Sequence, residues 1–296
     1  MFFARDKSFA IQGKVALVTG ALGAIGKQIT QQLLDDGARV VMVDIIDDGS
    51  GETASRELSA DNTKYVQADL RSIPDIQRMF DEGIQAYDHI DILINNAGVA
   101  LYNRLYDDES SENVVTAIDL NLRAPVEATR LFVQMLKASG RQGAVVNVAS
   151  TAGLMPRLGL EIYGTTKAGL MFFTQASRHL APQIRVSAVA PYFVDTPMVR
   201  KATRLKNNSM LSPSVLLTVN DVADAVIAQA QDRNSGGTTV MLVGPWGRLP
   251  VWTFWFSSFY ITLVVVLCMV VGRVKSACGM PSGSKYRIRN NSQHQE

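Results

Sequence analysis

Val15-Ala-Leu-Val-Thr-Gly20-Ala-Leu-Gly-Ala-Ile-Gly26 is the stretch from which the fold follows. Val15–Val18 is a short apolar run of strand formers, and it ends in a glycine turn. Beyond the turn, Ile25, Ile29, Leu33 and Leu34 recur at helical spacing. Strand, glycine turn and helix in that order are the context a dinucleotide site needs. Glycines let a pyrophosphate approach the backbone, and the N–H groups and dipole of the helix start favour its charge. The next apolar run, Arg39–Val43, ends at Asp44. An acid about 20 residues past the turn can accept both ribose hydroxyls of NAD and repel a 2′-phosphate. NAD(H) is therefore expected in preference to NADP(H).

Working outward, strand-like runs stand at 15–19, 39–43, 64–67, 91–95, 144–149, 185–190 and 239–243, with helical patterns filling most gaps. This alternation predicts an α/β fold: a Rossmann-type, doubly wound parallel sheet of about seven strands covered by helices on both faces. Ser150 falls at the carboxyl end of a strand, the edge where ligands bind in this architecture. Tyr163 and Lys167 lie four residues apart, on one face if the segment is helical. A cation beside a phenol favours the phenolate, and a nearby serine hydroxyl can hold a reacting oxygen against it. Taken alone, such a pair is commonly a surface Tyr and Lys; the cofactor motif upstream is what gives it weight.

In combination these motifs resemble the short-chain dehydrogenase/reductase family, most closely its 15-hydroxyprostaglandin dehydrogenase (NAD+) type. They stand in family order over roughly residues 10–245: Thr19-Gly20-x-x-x-Ala24-x-Gly26, Asp69-Leu70, Asn95-Asn96-Ala97-Gly98, Asn121, Ser150, Tyr163, Lys167 and Pro191-Tyr-Phe-Val-Asp-Thr196. The resemblance implies a catalytic tetrad of Asn121, Ser150, Tyr163 and Lys167. It implies cofactor contacts from Gly20, Gly23, Ala24, Ile25 and Gly26 at the pyrophosphate, and from Asp44 at the ribose. Asp69 and Leu70 would lie at the adenine, and Asn96, Ala97 and Gly98 beyond the fourth strand. Tyr163, Lys167, Pro191, Val194 and Thr196 would lie at the nicotinamide end. Lys167 would hold the nicotinamide ribose, and Asn121 would help hold a proton-relaying water. A homodimer through the helical faces is implied as well. Two residues depart from the pattern. Ala24 stands at the middle glycine, with Gly23 one place early. Tyr192 stands where the family usually has glycine after Pro191, placing a bulky side chain near the nicotinamide.

The chain continues past the usual end of such a fold. Val251–Gly272 is an uncharged run bracketed by Arg248 and Arg273, with Trp252, Trp255 and Tyr260 towards one end. It is long enough to cross a hydrocarbon core of about 30 Å as one helix. The expected organisation is an NAD-binding domain at 1–247, a transmembrane helix at 251–272 and a basic, disordered tail at 273–296. In that tail Arg273, Lys275, Lys285, Arg287 and Arg289 oppose Glu296, a net +4. The whole chain carries +2, so residues 1–272 are near −2 and do not form a basic nucleic-acid surface. No apolar leader follows Met1, since Arg5, Asp6 and Lys7 interrupt it. The large domain is therefore expected on the cytosolic side of a single-pass anchor, in the outer mitochondrial, peroxisomal or endoplasmic reticulum membrane. Positive-inside bias of the tail argues the opposite orientation.

Cys268 and Cys278 are the only cysteines and lie outside the globular part, as suits a reducing compartment. His89, His179 and His294 have no ligand-spaced partners, so no metal is expected. The acidic run 107–112 reads as a solvated helix start. The segment 198–211 mixes apolar residues with Arg200, Lys201, Arg204 and Lys206 at the family's variable substrate loop. It reads as a solvated basic helix, or as a lid with a cation for a carboxylate. An anchored enzyme reaches membrane-partitioned substrates, so the expected reaction interconverts a secondary alcohol and a ketone on a hydroxy fatty acid or prostaglandin-like, steroid or retinoid compound. A membrane-tethered NAD-binding regulator or an interaction subunit without turnover is the alternative; neither has a physical need for a complete tetrad.

Overall fold

The computed structural model describes residues 9–100, 111–197, 199–200, 216–243 and 248–250, together with Leu267. The apolar run 251–272 otherwise lies outside the described residues, as do the tail 273–296 and most of the segment 198–211. Among the described residues no helix is long and apolar enough to cross a membrane.

Seven parallel strands form the sheet: β1 (Val15–Thr19), β2 (Arg39–Asp44), β3 (Thr63–Gln67), β4 (Ile92–Asn95), β5 (Gly143–Val148), β6 (Ile184–Pro191) and β7 (Thr239–Leu242). They are ordered β3-β2-β1-β4-β5-β6-β7. The sequence expectation holds for all seven, within a residue or two at each end. A short eighth strand, β8 (Arg248–Pro250), pairs antiparallel with β7 and extends the sheet beyond residue 247. The central strand β1 is almost wholly apolar because both its faces are covered: every residue of it is buried. Burying one such side chain stabilises the fold by about 1.5–3 kcal/mol.

Alternate residues along each strand feed two cores. Ala16 and Val18 belong to the layer packed by α1 (Ala24–Asp35) and by α7 (Val219–Gln231). Val15 and Leu17 belong to the layer packed by α3 (Ile73–Tyr87) and α5 (Ala124–Ser139). Three helix starts are closed by local side chains. Asp47 caps α2 (Asp48–Ser59) through the Ser50 N–H, Ser72 caps α3, and Thr218 with Asp221 forms a capping box at α7. The strand order reverses between β1 and β4, so the carboxyl edge there opens a crevice for a ligand. At the opposite edge, Asp91 accepts from the buried Val15 N–H at 3.1 Å and from Arg141 at 2.9 Å. His89 Nε2 lies 3.2 Å and Lys14 Nζ 3.9 Å from the same carboxylate.

Candidate active site

The glycine turn builds the cofactor side by backbone approach. Gly20 has φ +63°, and a Cβ there would sit 2.9 Å from the Cα of Ala97. At Gly26 a Cβ would meet the Gly20 carbonyl oxygen at 2.0 Å, so only glycine lets α1 leave the turn this closely. Gly23 is the N-cap of α1 and offers no side-chain bond, and no acid stands in the first turn. The N–H groups at the start of this helix are thus left to an anion, unlike those of α2, α3 and α7. The Asp44 carboxylate ends β2 beside the turn, accepting from Leu22 N–H at 2.9 Å and Ile45 N–H at 2.8 Å. Asn96 donates to the carbonyls of Thr19 and Gly20 at 3.0 and 3.1 Å. The Thr19 hydroxyl accepts from the N–H groups of Asn96 and Ala97, both at 3.1 Å. These bonds lock the β4 loop to the glycine turn. The uncapped helix start, the glycine-lined approach and the ribose-height acid fit a nicotinamide dinucleotide. Leu70 is buried in the core, and the neighbouring Asp69 pairs with Arg71 at 2.7 Å. That guanidinium holds the Asp69 carboxyl below the usual range.

The catalytic side comes from β5, α6 (Glu161–Ala176) and a five-residue π-helical turn, Asp119–Arg123, which joins α4 (Ser111–Ile118) to α5. Asn121 sits in this turn, where sequence reading placed an ordinary helix. The wider turn breaks the usual ladder and lets the Asn121 side chain bond elsewhere. Its amide donates to Val99 O at 2.8 Å and accepts from Val99 N–H at 2.9 Å. A Cβ on Gly98 would lie 2.8 Å from Asn121 Oδ1 and 3.4 Å from Lys167 Nζ, so the glycine is what admits both. Lys167 is buried and donates to the Val148 carbonyl at 2.9 Å. Burial lowers its ammonium from 10.5 to about 8. Its Nζ lies 5.8 Å from the centre of the Tyr163 ring. Ser150 caps the turn after β5, its hydroxyl accepting from Ala152 N–H at 3.2 Å.

Ser150, Tyr163 and Lys167 line one cleft with Ile25, Asn96, Gly98, Pro191, Val194 and Thr196, about 820 Å³ counted to its open mouth. Of the expected site residues, Asn121, Gly20, Gly23, Ala24, Gly26, Asp44, Asp69, Leu70 and Ala97 do not line this cleft; Asn121 reaches it through Val99. Val99, Leu160, Phe193 and Val199 give the cleft apolar walls. Two further residues enter it. Tyr192, the departure at the usual glycine, is buried and accepts from the Arg157 guanidinium at 2.8 Å. Arg157 lies in the irregular segment between Ser150 and α6 and matches no motif, so sequence reading passed over it. The sequence reading of 198–211 offers a solvated basic helix or a lid cation; within that segment the described Arg200 pairs with Asp195 at 2.6 Å.

Comparison with known proteins agrees with this geometry. The short chain dehydrogenase family model matches residues 14–207. A 3-oxoacyl-[acyl-carrier-protein] reductase of Thermotoga maritima is 31% identical over 236 residues, covering 76% of this chain and 93% of its own. The rat 15-hydroxyprostaglandin dehydrogenase [NAD(+)] is 31% identical over 206 residues, covering 67% of this chain and 74% of its own. The crystal structure of a Brucella melitensis 3-ketoacyl-(acyl-carrier-protein) reductase complexed with NADH superposes with a TM-score of 0.69 at 28% identity, covering 78% of this chain and 97% of that one. The chain belongs to the short-chain dehydrogenase/reductase family.

Proposed function

We propose that this protein is an NAD(H)-dependent oxidoreductase that interconverts a secondary alcohol and a ketone on a lipophilic substrate. The observation that carries the reading is the meeting of Ser150, Tyr163 and a buried Lys167 in an apolar-walled cleft at the sheet edge beside the glycine turn. Ser150 holds the reacting oxygen by a hydrogen bond. Tyr163 takes the hydroxyl proton during oxidation and returns it during reduction. Lys167, with its charge in a site poor in water, favours the phenolate and orients the nicotinamide ribose. Asn121, fixed through Val99, holds a water in the proton path behind Lys167. The bound nicotinamide supplies the hydride acceptor or donor.

Asp44 supports NAD(H) over NADP(H), because a 2′-phosphate would meet its carboxylate. The apolar walls support a lipophilic compound, whether hydroxy fatty acid, prostaglandin-like, steroid or retinoid. The similarity to acyl-carrier-protein reductases adds 3-oxoacyl compounds to the candidates. A screen of the full chain against these alcohols and ketones, each with NAD(H) and NADP(H), tests the reading by absorbance of the reduced cofactor. Turnover with NAD(H) is expected; NADP(H)-selective turnover would overturn the Asp44 assignment. Val251–Gly272 is proposed as a single membrane anchor with the catalytic domain in the cytosol, on the strength of its uncharged length. Alkaline carbonate should leave the full chain in the membrane pellet, and its release would refute the anchor. The domain is further proposed to pair as a homodimer, by family resemblance; sedimentation at the monomer mass would refute that.

A further inference from the structure

Arg157, like Arg39 and Arg185, lies against aromatic rings. Arg71, Arg78, Arg123, Arg130 and Arg141 each face a carboxylate. No carboxylate of the described residues forms an ion pair with Arg157, although its side chain lines the cleft that holds Ser150 and Tyr163. Among the described residues its guanidinium makes one hydrogen bond, to the Tyr192 hydroxyl at 2.8 Å. Its charge lies 5.0 Å from the Tyr192 ring centre and 5.1 Å from that of Phe193. The two rings brace one another edge to face, with centres 4.9 Å apart.

This arrangement fixes a permanent cation without neutralising it. Ring faces attract and orient a guanidinium but leave most of its five N–H donors unused. A planar fork of such donors matches a carboxylate. Apolar walls around it strengthen any charge-assisted bond formed there. Arg157 and Lys167 are the only cations among the described cleft-lining residues, and Lys167 is held by Val148 beside Tyr163. A single remaining guanidinium suits a monoanion.

We propose that Arg157, positioned by Tyr192 and Phe193, recognises the carboxylate of the substrate, so that the cleft takes a lipophilic hydroxy or oxo acid rather than a neutral alcohol. The proposal rests on the oxidoreductase reading above and narrows its substrate class. Tyr192 is then a positioning residue: its ring and hydroxyl aim the guanidinium, and glycine at this place could do neither.

The test uses the full chain with NAD and a series of fatty acids bearing a secondary hydroxyl at increasing distance from the carboxylate, each beside its methyl ester. For the best acid, wild type should exceed the ester in kcat/KM by about tenfold or more, the scale of a hydrogen bond to a charged group. Arg157→Met should bring that ratio close to one, mainly through KM. Arg157→Lys should restore part of it, because the charge returns without the fork. Tyr192→Phe should reduce it less than Arg157→Met does. NADH titration and thermal unfolding identify any variant that has misfolded. An acid-to-ester ratio near one in wild type, or an equal loss on acid and ester in Arg157→Met with Arg157→Lys no better, would overturn the proposal. If wild type turns over no alcohol at all, the oxidoreductase reading fails by itself. Calorimetric binding of a fatty acid and its ester to the NADH complex then decides the Arg157 role: acid-selective binding lost in Arg157→Met upholds it, and equal binding refutes it.

Discussion

The two edges of the sheet use polar groups in opposite ways. At the amino edge, the Asp91 carboxylate is nearly inaccessible and is surrounded by Val15 N–H, Arg141, His89 and Lys14. Its partners all come from the chain. At the carboxyl edge, the first helix starts without a side-chain cap, Lys167 is buried and donates to the Val148 carbonyl, and Arg157 rests on aromatic rings. Burying such groups is unfavourable unless something completes their bonds. The amino edge is therefore built for stability, and the carboxyl edge is held ready for ligands that complete it.

Asp91→Ala should separate the two most strongly. It leaves the buried Val15 N–H unsatisfied and two cations without their shared acid, so unfolding stability should drop by about 3 kcal/mol. NADH affinity at the other edge should stay within about twofold, since sites this far apart act independently. Denaturant titration and NADH fluorescence measure the pair; a large loss of NADH affinity in a folded variant would show that the edges are coupled. Asp44→Ala should do the reverse, with a smaller effect. Losing the acid proposed to face the ribose should cut the preference for NADH over NADPH by about tenfold, as judged by the two dissociation constants. An unchanged preference would mean that Asp44 serves only the turn.

Per pH unit, a further effect concerns Lys167. Burial puts its folded pKa at about 8 against an ordinary 10.5. Between these values the unfolded chain holds a proton that the folded chain has released. Stability of the cofactor-free protein should therefore rise with pH across this window, by about 1 kcal/mol per pH unit relative to Lys167→Met. Denaturant melts of both proteins from pH 8 upward measure the difference, and a flat difference would mean that the ammonium is solvated.

The edges were also unequally legible in the sequence. Strand β1 was visible because a strand buried on both faces is almost wholly apolar, whereas β6 is buried throughout yet carries Arg185 and Ser187. The cofactor edge was visible because backbone approach admits only certain residues: Gly20 and Gly26 leave no room for a Cβ. Strand β8 was missed because three residues ending in Pro250 show no periodicity. The π-helical turn around Asn121 was missed because its local pattern is that of a helix running on into α5. Tyr192 stood out as a departure, but its partner Arg157 lies 35 residues away and only the fold joins them. Motifs record what the backbone requires, whereas contacts such as Arg157–Tyr192 are made between distant side chains and leave no local signature.

The central claim is that the carboxyl edge performs alcohol–ketone chemistry through Tyr163, separately from folding and cofactor capture. Tyr163→Phe in the full chain tests it most directly, because the ring remains and only the transferable proton is lost. With the best secondary alcohol from the screen, kcat should fall by about 10²-fold or more. The NADH dissociation constant and the unfolding midpoint should stay near those of wild type. Wild-type turnover by Tyr163→Phe would contradict the claim.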